Sequence, residues 1–180
     1  MILTTATLAE AKPLIAALKL EKVKTKPFPI YQKDHLLLIL TGIGPINAAA
    51  ALGYIVTQPT QILNVGICAG TSIGSIQNIY KVIDDASNKS YLLQKDPSMH
   101  NAALRTLYHP ALKKYKELVD MESSALVVTA KRFSCPIKII KIVSDRFDPK
   151  SVTPKSTQEL IEHRIDTILD IMANLKKDFQ

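Results

Sequence analysis

The sequence predicts an α/β domain with a largely buried sheet. Two observations carry this. Short apolar runs alternate along the chain with segments of helical spacing, the pattern of strands and helices stacked in layers. Several of those runs, such as 35–42 and 61–70, are predominantly apolar rather than alternating, which fits strands covered on both faces. The chain has 180 residues and 47% hydrophobic content, enough for one globular domain over 1–180 with a sizeable core.

In chain order, "MILTTA" is a short apolar start. "LAEAKPLIAALKL" (8–20) places Leu8, Ala11, Leu14, Ile15 and Leu18 on one side of a helix. "HLLLILTG" (35–42) reads as a buried strand ending in glycine. "PINAAAALGYIV" (45–56) reads as a helix with Pro45 at its start, where the missing N–H costs nothing. "QILNVGICAG" (61–70) is a second buried strand, "NIYKVID" (78–84) alternates, and "KELVD" (116–120) is extended. "ESSALVVTAKRF" (122–133) is helical and "IKIIKIVSD" (137–145) is a strand. Residues 156–179 form one long amphipathic helix with Leu160, Ile161, Ile165, Ile168, Leu169, Met172 and Leu175 on its apolar face.

Composition excludes several classes. No apolar run reaches the roughly 18 residues that span a bilayer, so no membrane association is expected. The N-terminal segment has no basic leader and carries Glu10 and Lys12, a poor signal peptide. Cys68 and Cys135 lie far apart in apolar surroundings; buried thiols fit a cytoplasmic protein better than a disulfide does. The net charge is +7, but the lysines are scattered, without interleaved aromatics, and the chain lacks Trp. This reads as solvated surface rather than a nucleic-acid interface. The four histidines, His35, His100, His109 and His163, show no ligand spacing, so neither a metal nor a cofactor is expected.

Ligands of such folds bind beyond the carboxyl ends of the strands, which makes the residues after each strand the candidates. Thr41-Gly42-Ile43-Gly44-Pro45 lets backbone approach a ligand, although a tight strand-to-helix turn explains it equally well. Gly66-Ile67-Cys68-Ala69-Gly70 offers a flat floor of small residues, or a crowded chain crossing. Ser144 and Asp145 set a hydroxyl beside a carboxylate at a strand end, a candidate proton donor or an Asx-turn. Asp120 and Glu122 flank Met121 where the chain enters a helix; locally, Asp120 is an N-cap and Glu122 a first-turn acid. Glu10 sits at the edge of the first helix's apolar face.

The order of these pieces resembles the nucleoside phosphorylase/nucleosidase superfamily, most closely the 5′-methylthioadenosine/S-adenosylhomocysteine nucleosidases. The matching stretches are "ATLAEAKPL" (6–14), "TGIGPINAAAALG" (41–53), "NVGICAGTS" (64–72), "VDMESSAL" (119–126) and "KIVSD" (141–145). The resemblance implies a single-domain three-layer α/β/α fold with a central mixed twisted sheet. It implies an enzyme that cleaves the bond between a purine N9 and the ribose C1′, through an oxocarbenium-like sugar. Asp145 matches the acid that serves N7, with Ser144 holding it. Glu122 matches the carboxylate that accepts both ribose hydroxyls, and Met121 packs on the sugar. Glu10 matches the base that activates water. Cys68, Ala69 and Gly70 match the segment beside base and ribose. Asp120 keeps the capping role.

Phosphorylases of this superfamily bind phosphate with arginines, and this chain has none before Arg105. Lysine does not replace their bidentate fork well, so hydrolysis is the expectation. Phosphorolysis and nucleoside binding without cleavage are the alternatives. The stretch 85–118 is trimmed relative to the family. Its 102–110 part is the remnant of a segment that closes the pocket, which makes Leu107 and Tyr108 candidate purine contacts. Lys141 stands where the nucleosidases have a supporting arginine. The partner implied is a small purine nucleoside of the methylthioadenosine, adenosylhomocysteine or futalosine type, and the assembly implied is a homodimer.

Overall fold

The computed structural model describes residues 1–177. Its elements are β1 (Ile2–Thr5), α1 (Leu8–Leu18), β2 (Glu21–Lys24), β3 (Ile30–Lys33), β4 (Leu36–Leu40), α2 (Pro45–Ile55), β5 (Ile62–Ala69), β6 (Ile76–Asp84), β7 (Ser90–Leu92), β8 (Asn101–Thr106), β9 (Leu118–Asp120), α3 (Ser123–Arg132), β10 (Ile137–Asp145), α4 (Pro154–Glu162) and α5 (Ile165–Lys177).

The continuous apolar runs become the middle of the sheet. β1 lies between β4 and β5, parallel to both, and β10 runs parallel to β5 on its other side. These strands are apolar on both faces because helices cover both. α1, α4 and α5 pack on one face, where Leu3, Leu14, Leu38, Leu63, Ile161 and Ile168 share a core. α2 and α3 cover the other, where Ile39, Ala48, Leu52, Ile62, Leu126 and Ala130 meet. The arrangement is the three-layer α/β/α fold with a mixed sheet.

Beyond β10 the sheet curls. β6 pairs antiparallel with β10, β8 pairs parallel with β6, and β9 pairs parallel with β8. β9 then returns to β5 through Ala69 and Val119. The closed ring β5–β10–β6–β8–β9 brings the carboxyl ends of β5, β9 and β10 together, which is what positions the site.

Three segments depart from the sequence expectation. Residues 21–33 hold an edge hairpin, β2 and β3, where the sequence suggests only charged surface. All four residues of β2 are exposed, so it shows no apolar signature, and its lysines suit an unprotected edge. The trimmed stretch 85–118 is not merely a loop but contains β7 and β8. The single C-terminal helix is two. It breaks at His163 and Arg164, where Arg164 Nε and Nη2 donate to Gly74 O at 3.0 and 2.7 Å. The apolar period runs through the break, and Ile161, Ile168 and Met172 enter one core. The last residues of the expected helix, 178–179, lie outside the described residues.

Candidate active site

Glu10 is fixed before any ligand arrives. Thr7 caps α1 and Glu10 is the third helical residue, so the two form a capping box. Glu10 Oε2 accepts from Thr7 N at 2.7 Å and Thr7 Oγ1 at 3.0 Å. Its other oxygen, Oε1, accepts from Ile67 N at 3.0 Å. The carboxylate thus bridges α1 and β5. Gly66 makes room for it: a Cβ there would stand 2.9 Å from Glu10 Oε1.

Glu122 caps no N–H of its own helix. Its Oε1 reaches across to Gly44 N, at 2.8 Å, the N-terminus of α2. Gly44 has φ +96°, a backbone shape that L side chains rarely adopt. Burial, and then Asp120, push the Glu122 carboxyl up to about 7; Lys141 and the Gly44 N–H hold it down and Glu10 adds to the rise.

Asp120 lines the same cavity as these acids, and Lys141 lies behind it. Lys141 Nζ is 2.9 Å from Asp120 Oδ2, and both side chains are almost wholly buried. Asp120 also accepts from Thr106 Oγ1, Ser123 N and Ser123 Oγ. It therefore satisfies the first helical N–H of α3, as a cap would, but it stands two residues before the N-cap, Glu122. Burial pulls the Lys141 ammonium down, but Asp120, Glu122 and Glu10 outweigh this and hold it above the ordinary lysine range. Cys68 is a buried free thiol whose pKa burial raises.

Asp145 ends β10. The pairing with β5 slips between Val143 and Asp145, an irregularity that re-aims side chains. Asp145 Oδ1 accepts from Asp148 N at 2.8 Å. Ser144 Oγ lies 2.7 Å from Asp145 Oδ2 and 3.1 Å from Cys68 O.

These groups surround one cavity of about 350 Å³, within the size range of small-molecule sites. Glu10, Glu122 and Asp145 line it, and so do Met121, Ser144, Cys68 and Ala69. Three sequence candidates lie elsewhere. Gly70 is a packing glycine, since a Cβ there would meet Leu118 Cδ2 at 2.5 Å. Leu107 is buried against Ala111, Val119 and Phe147, and Tyr108 is exposed. The same connection contributes Pro110 and Ala111 instead. Sequence reasoning missed Thr7, although "TLAE" (7–10) is a capping-box signature. It also missed the wall formed by Pro149, Val152, Thr153, Pro154 and Thr157. Among the described residues no cluster of His, Cys, Asp and Glu is arranged to hold a metal ion, and no helix is long and apolar enough to cross a membrane.

The sequence matches no protein-family model and no curated protein. Solved structures do match. An MTAN from Chlamydia trachomatis superposes with a TM-score of 0.78 at 19% identity, over 96% of this chain and 96% of that one. A 5′-methylthioadenosine/S-adenosylhomocysteine nucleosidase from S. pneumoniae, solved with the transition-state inhibitor MT-ImmA, gives 0.79 at 14% identity, over 93% and 96%. The 5′-methylthioadenosine nucleosidase of Arabidopsis thaliana in apo form gives 0.72 at 18% identity, over 89% and 87%. By topology and by superposition, the chain has the fold of the MTA/SAH nucleosidases.

Proposed function

We propose that this protein is a hydrolytic purine nucleosidase acting on a 5′-modified nucleoside of the adenosine type. The observation that carries the reading is the convergence of Glu10, Glu122 and Asp145 on one cavity, each held by a backbone N–H from a different part of the chain. The names of the matching structures support it, one of them holding a transition-state inhibitor.

In this reading Asp145 gives its proton to purine N7 as the C1′–N9 bond breaks, and the bonding electrons leave with the base. Ser144 has one hydroxyl proton. If it donates to Cys68 O, its oxygen is free to accept from a protonated Asp145, which holds the acid in place. Glu122 Oε1 is committed to Gly44 N, and Oε2 is left for the ribose hydroxyls, with Met121 against the sugar. Water bonds to C1′ and passes a proton to Glu10. Water is favoured over phosphate because, among the described residues, no Arg, Lys or His lines the cavity, while Lys141 is paired with Asp120. A phosphate would face carboxylates with no cation beside it.

The same reading includes a homodimer. Ile46 and Leu112 stand 77% and 84% exposed, close in the chain to Ile43 and Ala111, which line the cavity; exposed apolar side chains so near a site suit cover by a second copy. Analytical ultracentrifugation reads this directly.

The test of the activity is purine release from methylthioadenosine, adenosylhomocysteine, adenosine, inosine and a futalosine, with and without phosphate. The expected result is free base and free sugar without phosphate. Release only with phosphate overturns hydrolysis, and no release from any of them turns the reading toward a binding protein.

A further inference from the structure

Thr157, in the first turns of α4, is 4% exposed and lines the cavity, yet its hydroxyl has no partner among the described residues. A threonine inside a helix ordinarily returns its hydroxyl to the carbonyl four residues back. That carbonyl, Thr153 O, already takes the Thr157 N–H at 2.9 Å and Ser156 Oγ at 3.0 Å. Nor is the Thr157 oxygen among the sealed, unsatisfied polar atoms, which are those of Thr5, Asn64 and Asn78. It keeps an open edge, and the cavity is the space it lines. The other hydroxyls on the cavity wall are engaged: Thr7 with Glu10, Ser144 with Asp145, Thr153 with Ser156. A hydroxyl removed from bulk water and left without a partner is unfavourable, so this one is placed for a ligand.

The lining divides by element. Asp145, Ala69, Val119, Pro110 and Ala111 come from the closed-ring half and surround the proton donor, hence the purine. Glu122 takes the ribose hydroxyls, with Met121 against the sugar, at the junction of β9 and α3. What remains is the N-terminus of α1 and the 149–157 wall, which α4 brings against α1. Resting on the nucleosidase reading, we propose that Thr157 is a specificity-determining residue that hydrogen-bonds a polar 5′ substituent. The preferred substrate class is then a nucleoside with a hydrogen-bonding heteroatom near C5′, rather than one that ends in a thioether or hydrocarbon.

The test compares adenosine with 5′-deoxyadenosine, which differ by the 5′-hydroxyl alone, on the parent protein and on Thr157→Val and Thr157→Ser. Valine keeps the shape and removes the hydroxyl; serine keeps the hydroxyl. The readout is the ratio of kcat/KM for the two nucleosides. The parent protein is expected to favour adenosine, Thr157→Val to collapse that ratio by about tenfold, and Thr157→Ser to retain it. A role in packing alone would lower both rates together and leave the ratio where it was, which overturns the proposal, as does a parent protein that favours the deoxy compound. Calorimetric Kd values for the same pair separate this from the activity. If no purine is released but Thr157→Val still narrows the difference in Kd, the cleavage reading fails and the role of Thr157 stands. If purine is released and neither ratio moves, the reverse holds.

Discussion

Each acid has a separable signature at the scale of single residues. Asp145→Asn keeps the Asp148 N–H bond through its amide oxygen but has no proton to give N7. Turnover should fall by about 10²- to 10⁴-fold with nucleoside affinity retained, read by steady-state kinetics beside calorimetry; turnover at the parental rate would remove Asp145 as the acid. Glu122→Gln should cost more with ribonucleosides than with 2′-deoxyribonucleosides, and equal losses would remove the diol role. Burial and Asp120 push the Glu122 carboxyl up to about 7, and only its ionised form accepts two hydroxyls without donating. The kcat/KM for a ribonucleoside should therefore rise as pH increases through about 7, and Glu122→Gln should lack that limb. Locally each acid read as a cap, a turn residue or a solvated helix acid, and only the resemblance drew the three together; their meeting at one cavity depends on strand ends brought together by the fold. Leu107 and Tyr108 pointed elsewhere because side-chain direction in a connection depends on its path, which periodicity does not encode. Thr157 was invisible for a related reason: its exposure to the cavity depends on how α4 docks on α1, and on a neighbour, Ser156, that takes up Thr153 O.

Elements set how much those acids can move. Lys141 on β10 pairs with Asp120 at the end of β9, a buried cross-link between two strands of the closed ring that do not touch as neighbours. Gly66 on β5 lies beside it, since a Cβ there would stand 3.2 Å from Lys141 Nζ. Replacing Lys141 with methionine leaves Asp120 buried without its counter-ion, a change worth about 3–5 kcal/mol. Urea unfolding of Lys141→Met should show that loss, and a variant as stable as the parent would mean that Asp120 is satisfied by Thr106 and Ser123 alone. Long, strongly patterned elements such as α2, β5 and β10 could be placed from sequence to within a residue or two. The short ones could not. β7 and β8 carry mixed polar residues, and β8 depends on non-local partners, β6 and β9, for its place. The break between α4 and α5 leaves the apolar period intact, and the contact made at it, the Arg164 fork on Gly74 O, spans 90 residues of chain.

Across the whole molecule, the layered fold was readable because buried parallel strands announce themselves as predominantly apolar runs without strict alternation, whereas the closure of the ring rests on a single pair, Ala69 with Val119, that no local pattern marks. That closure crowds Glu10, Asp120 and Glu122 around one ammonium, and global stability should record the crowding. Glu122 has its carboxyl raised from 4.5 in the unfolded chain to about 7 in the fold, so between those values the folded state binds the proton more tightly. Its contribution is fully present below about pH 4.5 and is lost as pH rises through about 7, a change on the order of 3 kcal/mol. The opposite case, Asp96, is held at about 2 by Lys138 and Ser98, and costs stability only as the pH falls well below this window. Urea midpoints at pH 5 and pH 8 should therefore drop across the interval in the parent protein, and Glu122→Gln, which cannot ionise, should lose most of that drop. Parallel curves for the two proteins would show that the network neutralises Glu122 by rearranging rather than by retaining its proton.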